Sequence, residues 1–183
     1  METYIALLRG INVSGQKLIK MEQLRKVVGE LPISNISTYI QSGNVIFDSS
    51  IDNFFQLEQL IASKILHHFG FEVTVIVTNL AELQDIVQQN PYSQAEVDSV
   101  QPYIVLLSQL PNPDAVSTLS AVDFGNDQWM LKGRTLYIFY AEGAGKTKLS
   151  NAVIERKLKV KATARNWKTV QKLIGLGKLE VRG

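Results

Sequence analysis

The chain has no cysteine and two histidines, His67 and His68, side by side. Without cysteine there are no disulfides, thiolate metal ligands or cysteine nucleophiles. Two adjacent histidines near the end of a predicted helix, with no H-x-x-x-H pattern, leave too few ligands for a metal centre. No apolar run approaches the ~20 residues of a membrane span. The opening M-E-T-Y-I-A-L-L has no basic segment before its short apolar stretch, so no secretory signal is expected. No G-x-S-x-G elbow, G-x-G-x-x-G fingerprint or paired carboxylates stand out. These absences point to the cytoplasm and to a protein without metal or cofactor.

The chain runs to 183 residues, 45% hydrophobic and 20% charged. That is ordinary globular usage, enough for one large domain or two small ones. The net charge of +2 hides an asymmetry. From Leu131 onward there are 13 Lys and Arg against Glu142, Glu155 and Glu180, a balance of +10, whereas the first 130 residues carry −8. A basic C-terminal third suits phosphate-bearing partners, although solvated helix faces account for the same count.

Three matched segments indicate an internal repeat. Y-I-A-L-L (Tyr4–Leu8) recurs as Y-I-V-L-L (Tyr103–Leu107), and Asn44–Phe47 has a counterpart in Leu136–Phe139. The helical stripes Leu80, Leu83, Ile86, Val87 and Trp167, Val170, Leu173, Ile174 match position by position, and Asn79 and Asn166 precede them as N-caps. The intervening patterns predict βαββαβ twice. The fold expected is α+β, two tandem ferredoxin-like repeats each followed by an extra helix: residues 1–90, a linker at 91–102, and residues 103–183. The offset is 99 at the first strand and 92 at the third, so the first copy is longer by seven. The surplus is expected in Gly10–Lys20, facing the hairpin Gln41–Asn44.

That juxtaposition supplies the first candidate site. Arg9, Asn12 and Gly15 lie in R-G-I-N-V-S-G-Q, where glycines permit positive φ and backbone N–H groups can converge on an anion. Gln41, Ser42 and Asn44 offer neutral donors and acceptors, suited to a polar ligand rather than to acid–base chemistry. Both segments also serve as plain turns. The stretch A-E-G-A-G-K-T-K-L-S (Ala141–Ser150) is not a P-loop. It has Tyr140 where the motif needs glycine and follows a strand of an antiparallel hairpin. Lys146 and Lys148 remain anion candidates beside a helix N-terminus. Arg165 is a further cation. Trp167, placed on an apolar stripe, is expected in the core rather than as a stacking platform.

On these residues the sequence resembles a bacterial family defined by a domain of unknown function. The shared elements are A-L-L-R-G-I-N-V-G-G (here Ala6–Gly15, with Ser14 for glycine), T-Y-x-x-S-G-N-V-x-F (Thr38–Phe47) and A-T-A-R-N-W-x-T-V (Ala162–Val170). A G-x-G-x-x-K-L element matches Gly143–Leu149, with Thr147 where the family usually has serine. The resemblance implies a doubled ferredoxin-like fold and supplies no activity, substrate or catalytic residue.

The expected function is anion binding, with a nucleotide or phosphorylated small molecule as ligand. Two other readings stand beside it: an RNA-binding module using the basic C-terminal third, and an enzyme acting on a phosphorylated or carboxylated substrate. Ferredoxin-like units host many functions, so fold alone does not choose.

Overall fold

In a computed structural model that describes residues 1–93 and 102–180, the first apolar run forms strand β1 (Glu2–Leu8), six of its seven residues buried. Helix α1 (Met21–Val28), strands β2 (Ser34–Tyr39) and β3 (Asn44–Ser49), helix α2 (Phe54–Phe69), strand β4 (Val75–Asn79) and helix α3 (Leu80–Gln88) follow. The strands form an antiparallel sheet in the order β2-β3-β1-β4. Alternation along β1 sends Tyr4, Ala6 and Leu8 to one face. There they pack with Leu24 and Val28 of α1 and with Leu57, Ile61 and Ile65 of α2. Tyr4 stacks on its partner Phe47 at 5.8 Å and meets Phe54 edge-on at 5.9 Å. Asn53 caps α2 by accepting from the Gln56 N–H, and left-handed Gly70 ends it.

The order recurs. Strand β5 (Tyr103–Leu107), helix α4 (Pro113–Ser120), strands β6 (Gln128–Lys132) and β7 (Thr135–Phe139), helix α5 (Asn151–Leu158), strand β8 (Ala162–Asn166) and the start of helix α6 (Trp167–Glu180) form a second unit. Its sheet order is β6-β7-β5-β8. Val105, Leu107, Leu136 and Ile138 pack against Leu119, Ile154 and Leu158 of the helices. Both units carry the α+β, ferredoxin-like arrangement that the sequence indicates. Packing groups Met1–Asp85 with residues 172–180, and Ile86–Gln171 separately. Most of the linker expected at 91–102 lies in 94–101, outside the described residues. No described helix is long and apolar enough to cross a membrane.

The correspondence extends to single hydrogen bonds. Leu8 N–H donates to the Gly43 carbonyl at 2.8 Å as Leu107 N–H donates to that of Arg134 at 2.9 Å. Arg9 N–H donates to Thr74 O and Ser108 N–H to Lys161 O. The register pairs Phe47 with Tyr4 and Ile138 with Tyr103, so the third strands correspond at an offset of 91 rather than 92. These strands are apolar on both faces, and such a run does not fix its own register. Residues 9–20 separate β1 from α1, against 108–112 between β5 and α4, which puts seven surplus residues in the expected loop.

Strand β4 begins only at Val75 and β8 only at Ala162, although the buried valines Val73 and Val160 precede them. Each strand runs straight into a helix. Asn79 and Asn166 close the strands while their side chains accept from the Glu82 and Thr169 N–H groups. An N-cap has extended backbone angles, so one residue serves both elements.

Burial sets the alkaline behaviour. Burial, then the hydrogen bond to Glu2, pushes Tyr4 up to about 12, and burial alone takes Tyr137 to about 12. Unfolded tyrosine ionises near ~10, so stability held below that pH falls as pH climbs through the folded values. Buried Arg165, pushed down to about 10, acts in the opposite sense. It is the smaller partner, because burial also raises Tyr140 and Tyr92. Absorbance at 295 nm should therefore show these tyrosines ionising together with loss of the far-UV dichroism. Stepwise ionisation near pH 10 with intact dichroism would contradict this.

Candidate functional site

The long loop of the first unit is held by one side chain. Asn12 donates through Nδ2 to the Gln41 carbonyl at 2.8 Å and to the Ile19 carbonyl at 2.9 Å, and its Oδ1 accepts from the Ile19 N–H at 2.8 Å. Its backbone N–H reaches Lys17 O. Inside this closure Val13 and Gln16 pair across Ser14 (φ 51°) and Gly15 (φ 73°), two left-handed residues that suit a type I′ turn. Loop and hairpin meet as expected. Ile11 is buried against Gly43 (φ 79°), where an added Cβ would lie 2.6 Å from Ile11 Cδ1 and 2.8 Å from Leu8 Cβ. Only glycine fits.

The predicted residues therefore divide. Asn12 and Asn44 build the site, Asn44 being fully buried and donating to Tyr39 O and Ser42 Oγ. Ser42 is half-buried, and the Gln41 side chain and Gly15 are exposed. Arg9 is half-buried at the base of the loop. Lys17 is exposed and donates to Glu72 O at 2.6 Å, which occupies one of its three ammonium hydrogens. Val13, Leu18 and Ile40 stand exposed at the same end (57%, 67% and 45%).

Charge gathers here as well. Five of the six basic residues in the first 130 fall between Arg9 and Lys26, with Glu22 the single carboxylate among them. Four of the six described non-glycine residues with positive φ (Asn12, Ser14, Lys17 and Ile40) lie in this loop or its hairpin. For β-branched Ile40 that conformation is unusual.

The remaining candidates belong to the second unit. Lys146 and Lys148 are exposed beside a concavity of about 210 Å³ that Asp127 and Glu142 also line. Asp127 holds the Gly-rich loop, accepting from the Ala141 N–H and the Thr147 hydroxyl, and that hydroxyl accepts from the Leu149 N–H. The contacts need an oxygen and not the methyl, so a serine at this position would keep them. Arg165 is 7% exposed and donates to Thr163 Oγ1 and Ala164 O, a structural post inside the unit. Trp167 is core, 4% exposed. The roles of Ile11 and Asp127 carry little signal in the sequence: Ile11 lies inside the A-L-L-R-G-I-N-V element but offers no binding chemistry, and Asp127 belongs to no motif.

Two substitutions measure the closure. Gly43→Ala combines strained φ with overpacking against Ile11, and each effect is worth about 1–3 kcal/mol. Asn12→Ala strands the Gln41 and Ile19 backbone groups at about 1–3 kcal/mol and should speed amide exchange in residues 13–18 more than in the strands. Chemical denaturation and hydrogen exchange read both, and neutral effects would refute the closure.

A structural neighbour, described as the conserved bacterial protein SP0830 from Streptococcus pneumoniae, superposes with a TM-score of 0.76 over 96% of this chain and 98% of its own, at 21% identity. That likeness establishes the fold. Among curated proteins none matches the sequence. A family model described as protein of unknown function (DUF1697) matches residues 1–137, a span that holds the A-L-L-R-G-I-N and S-G-N motifs and the site they build. The chain belongs to the DUF1697 family.

Proposed function

We propose that the protein is a cytoplasmic binding protein for a phosphate-bearing small molecule. The ligand docks on the outer surface of the first unit's loop and its hairpin. The observation that carries this reading is the comparison between the units. The second connects its first strand to its first helix in five residues, the first in twelve. The fold does not require the longer route, and four left-handed non-glycine residues at this end cost stability that a plain connection avoids. Loops fixed on a rigid scaffold commonly carry recognition.

Charge supports an anion. Arg9, Lys17 and Lys20 surround the loop, and no carboxylate occurs between Thr3 and Met21. Exposed Val13, Leu18 and Ile40 offer apolar contact beside the cations, which favours an organic phosphate such as a nucleotide over an inorganic ion. Asn12 and Asn44 position the surface, while Gln41, Ser42, Lys17 and Lys20 meet the ligand. No group here is arranged as an acid–base pair, so binding fits the geometry better than catalysis. Lys146, Lys148 and Arg165 lie outside this proposed surface.

A thermal-shift screen of nucleotides and sugar phosphates tests the reading. A ligand at 100 times its Kd should add about 2.7 kcal/mol, and Lys17→Ala/Lys20→Ala should remove that gain while leaving the unliganded melting temperature near that of the parent. No stabilisation by any compound at millimolar concentration would sink the proposal.

A further inference from the structure

The run Arg156-Lys157-Leu158-Lys159-Val160-Lys161 ends α5 and leads into β8. Leu158 and Val160 are buried, whereas Arg156, Lys159 and Lys161 are exposed. The three exposed cations line a groove of about 580 Å³ with Ser108, Gln109 and Glu155. Its floor is fixed, because Ser108 N–H donates to Lys161 O at 2.8 Å and Lys161 N–H donates to Ser108 Oγ at 3.2 Å. Glu155, the one carboxylate, accepts from the Ala162 N–H through Oε1. The lining keeps an excess of positive charge.

Helix termination explains part of this and not all. A cation at a helix C-terminus offsets the backbone dipole, which covers Arg156 and Lys159 but not Lys161 on the approach to the strand. Lys159 adopts φ 56° at the cap where Gly70 (φ 77°) ends the corresponding helix, a conformation that favours glycine. The first unit treats the same place differently. Glu72 and Thr74 precede β4 by the spacing at which Lys159 and Lys161 precede β8, and the long loop reaches over to place Lys17 Nζ on Glu72 O. The second unit lacks those seven loop residues and has cations there instead.

We infer that this groove is an anion site, independent of the first unit's loop, for a chain of linked phosphates. Three convergent cations match several adjacent negative charges. No aromatic side chain lines the groove, so there is no platform for stacking bases, and recognition rests on the phosphates. Tripolyphosphate and the triphosphate group of a nucleotide share that chemistry.

Calorimetric titration of the full chain with sodium tripolyphosphate, at low and moderate salt, tests this site. The expected result is one site per chain whose affinity falls with salt. Arg156→Ala/Lys161→Ala should weaken binding about tenfold or more, since hydrogen bonds to charged groups are the strong ones. Lys159→Gly should weaken it while raising the melting temperature, which separates loss of charge from loss of fold. Lys17→Ala/Lys20→Ala should leave tripolyphosphate binding unchanged, so failure of this site and failure of the loop site are distinguishable. In the Lys17→Ala/Lys20→Ala background, where the loop site is disabled, ATP binding as tightly as tripolyphosphate assigns the phosphate chain alone, and tighter ATP binding assigns a nucleotide. Absent binding at millimolar tripolyphosphate, or binding indifferent to Arg156→Ala/Lys161→Ala, overturns the inference. So does RNA without a terminal triphosphate binding where tripolyphosphate does not, an outcome that makes the face a nucleic-acid surface.

Discussion

A single amide organises the open end of the first sheet. Two hydrogen bonds donated by the Asn12 amide and one it accepts join the start of the loop, its return at Ile19 and the hairpin at Gln41. All of the amide's donors are used, and both ends of its dipole face backbone. Behind it Ile11 closes on Gly43, so apolar contact seals the side facing the sheet while the far side stays wet. Without that pair of constraints the twelve residues would be a loose connection, and the exposed cations would have no fixed positions from which to act together. Preorganisation of this kind lowers the ordering cost that a ligand must offset.

Much of the fold was legible because its signals are periodic and repeated. The stripe Leu57, Ile61, Ile65 announces α2, and Asn53 and Gly70 mark its ends with residues whose backbone preferences suit those places. The matched stripes after Asn79 and Asn166 placed the two trailing helices. Register was not legible in β3 and β7, whose apolar residues crowd both faces and satisfy either alignment. Nor were the starts of β4 and β8, where Val73 and Val160 are buried but precede the strands.

At the site, residue types and neighbourhood were legible in the sequence and orientation was not. Asn12 and Asn44 carry the functional groups of ligand-binding side chains and spend them on backbone. Arg165 has the charge of an anion receptor, and burial with Thr163 and Ala164 O as acceptors turns it to structural use. Lys17, Lys20 and Gln41 keep their outward aspect because each sits where the chain turns through solvent. The difference lies in tertiary packing, which a local motif does not encode. The basic C-terminal third shows the same principle. Its sum is plain in composition, yet only the folded unit shows that Lys161 joins Arg156 in one groove while Lys132 is drawn off to the Gln89 carbonyl and the Tyr137 ring.

The strand-to-helix junctions at Asn79 and Asn166 have a consequence for how such chains can diverge. Each asparagine is both the last rung of a ladder and the first cap of a helix, with nothing in between to absorb a change of length. One residue more or fewer would swing the helix by about 100° and turn the strand's inward side chains outward. Growth and loss are therefore steered to the opposite rim of each sheet, where two connections of unequal size already coexist on one blueprint. That rim is where lineages can experiment while the junctions stay frozen.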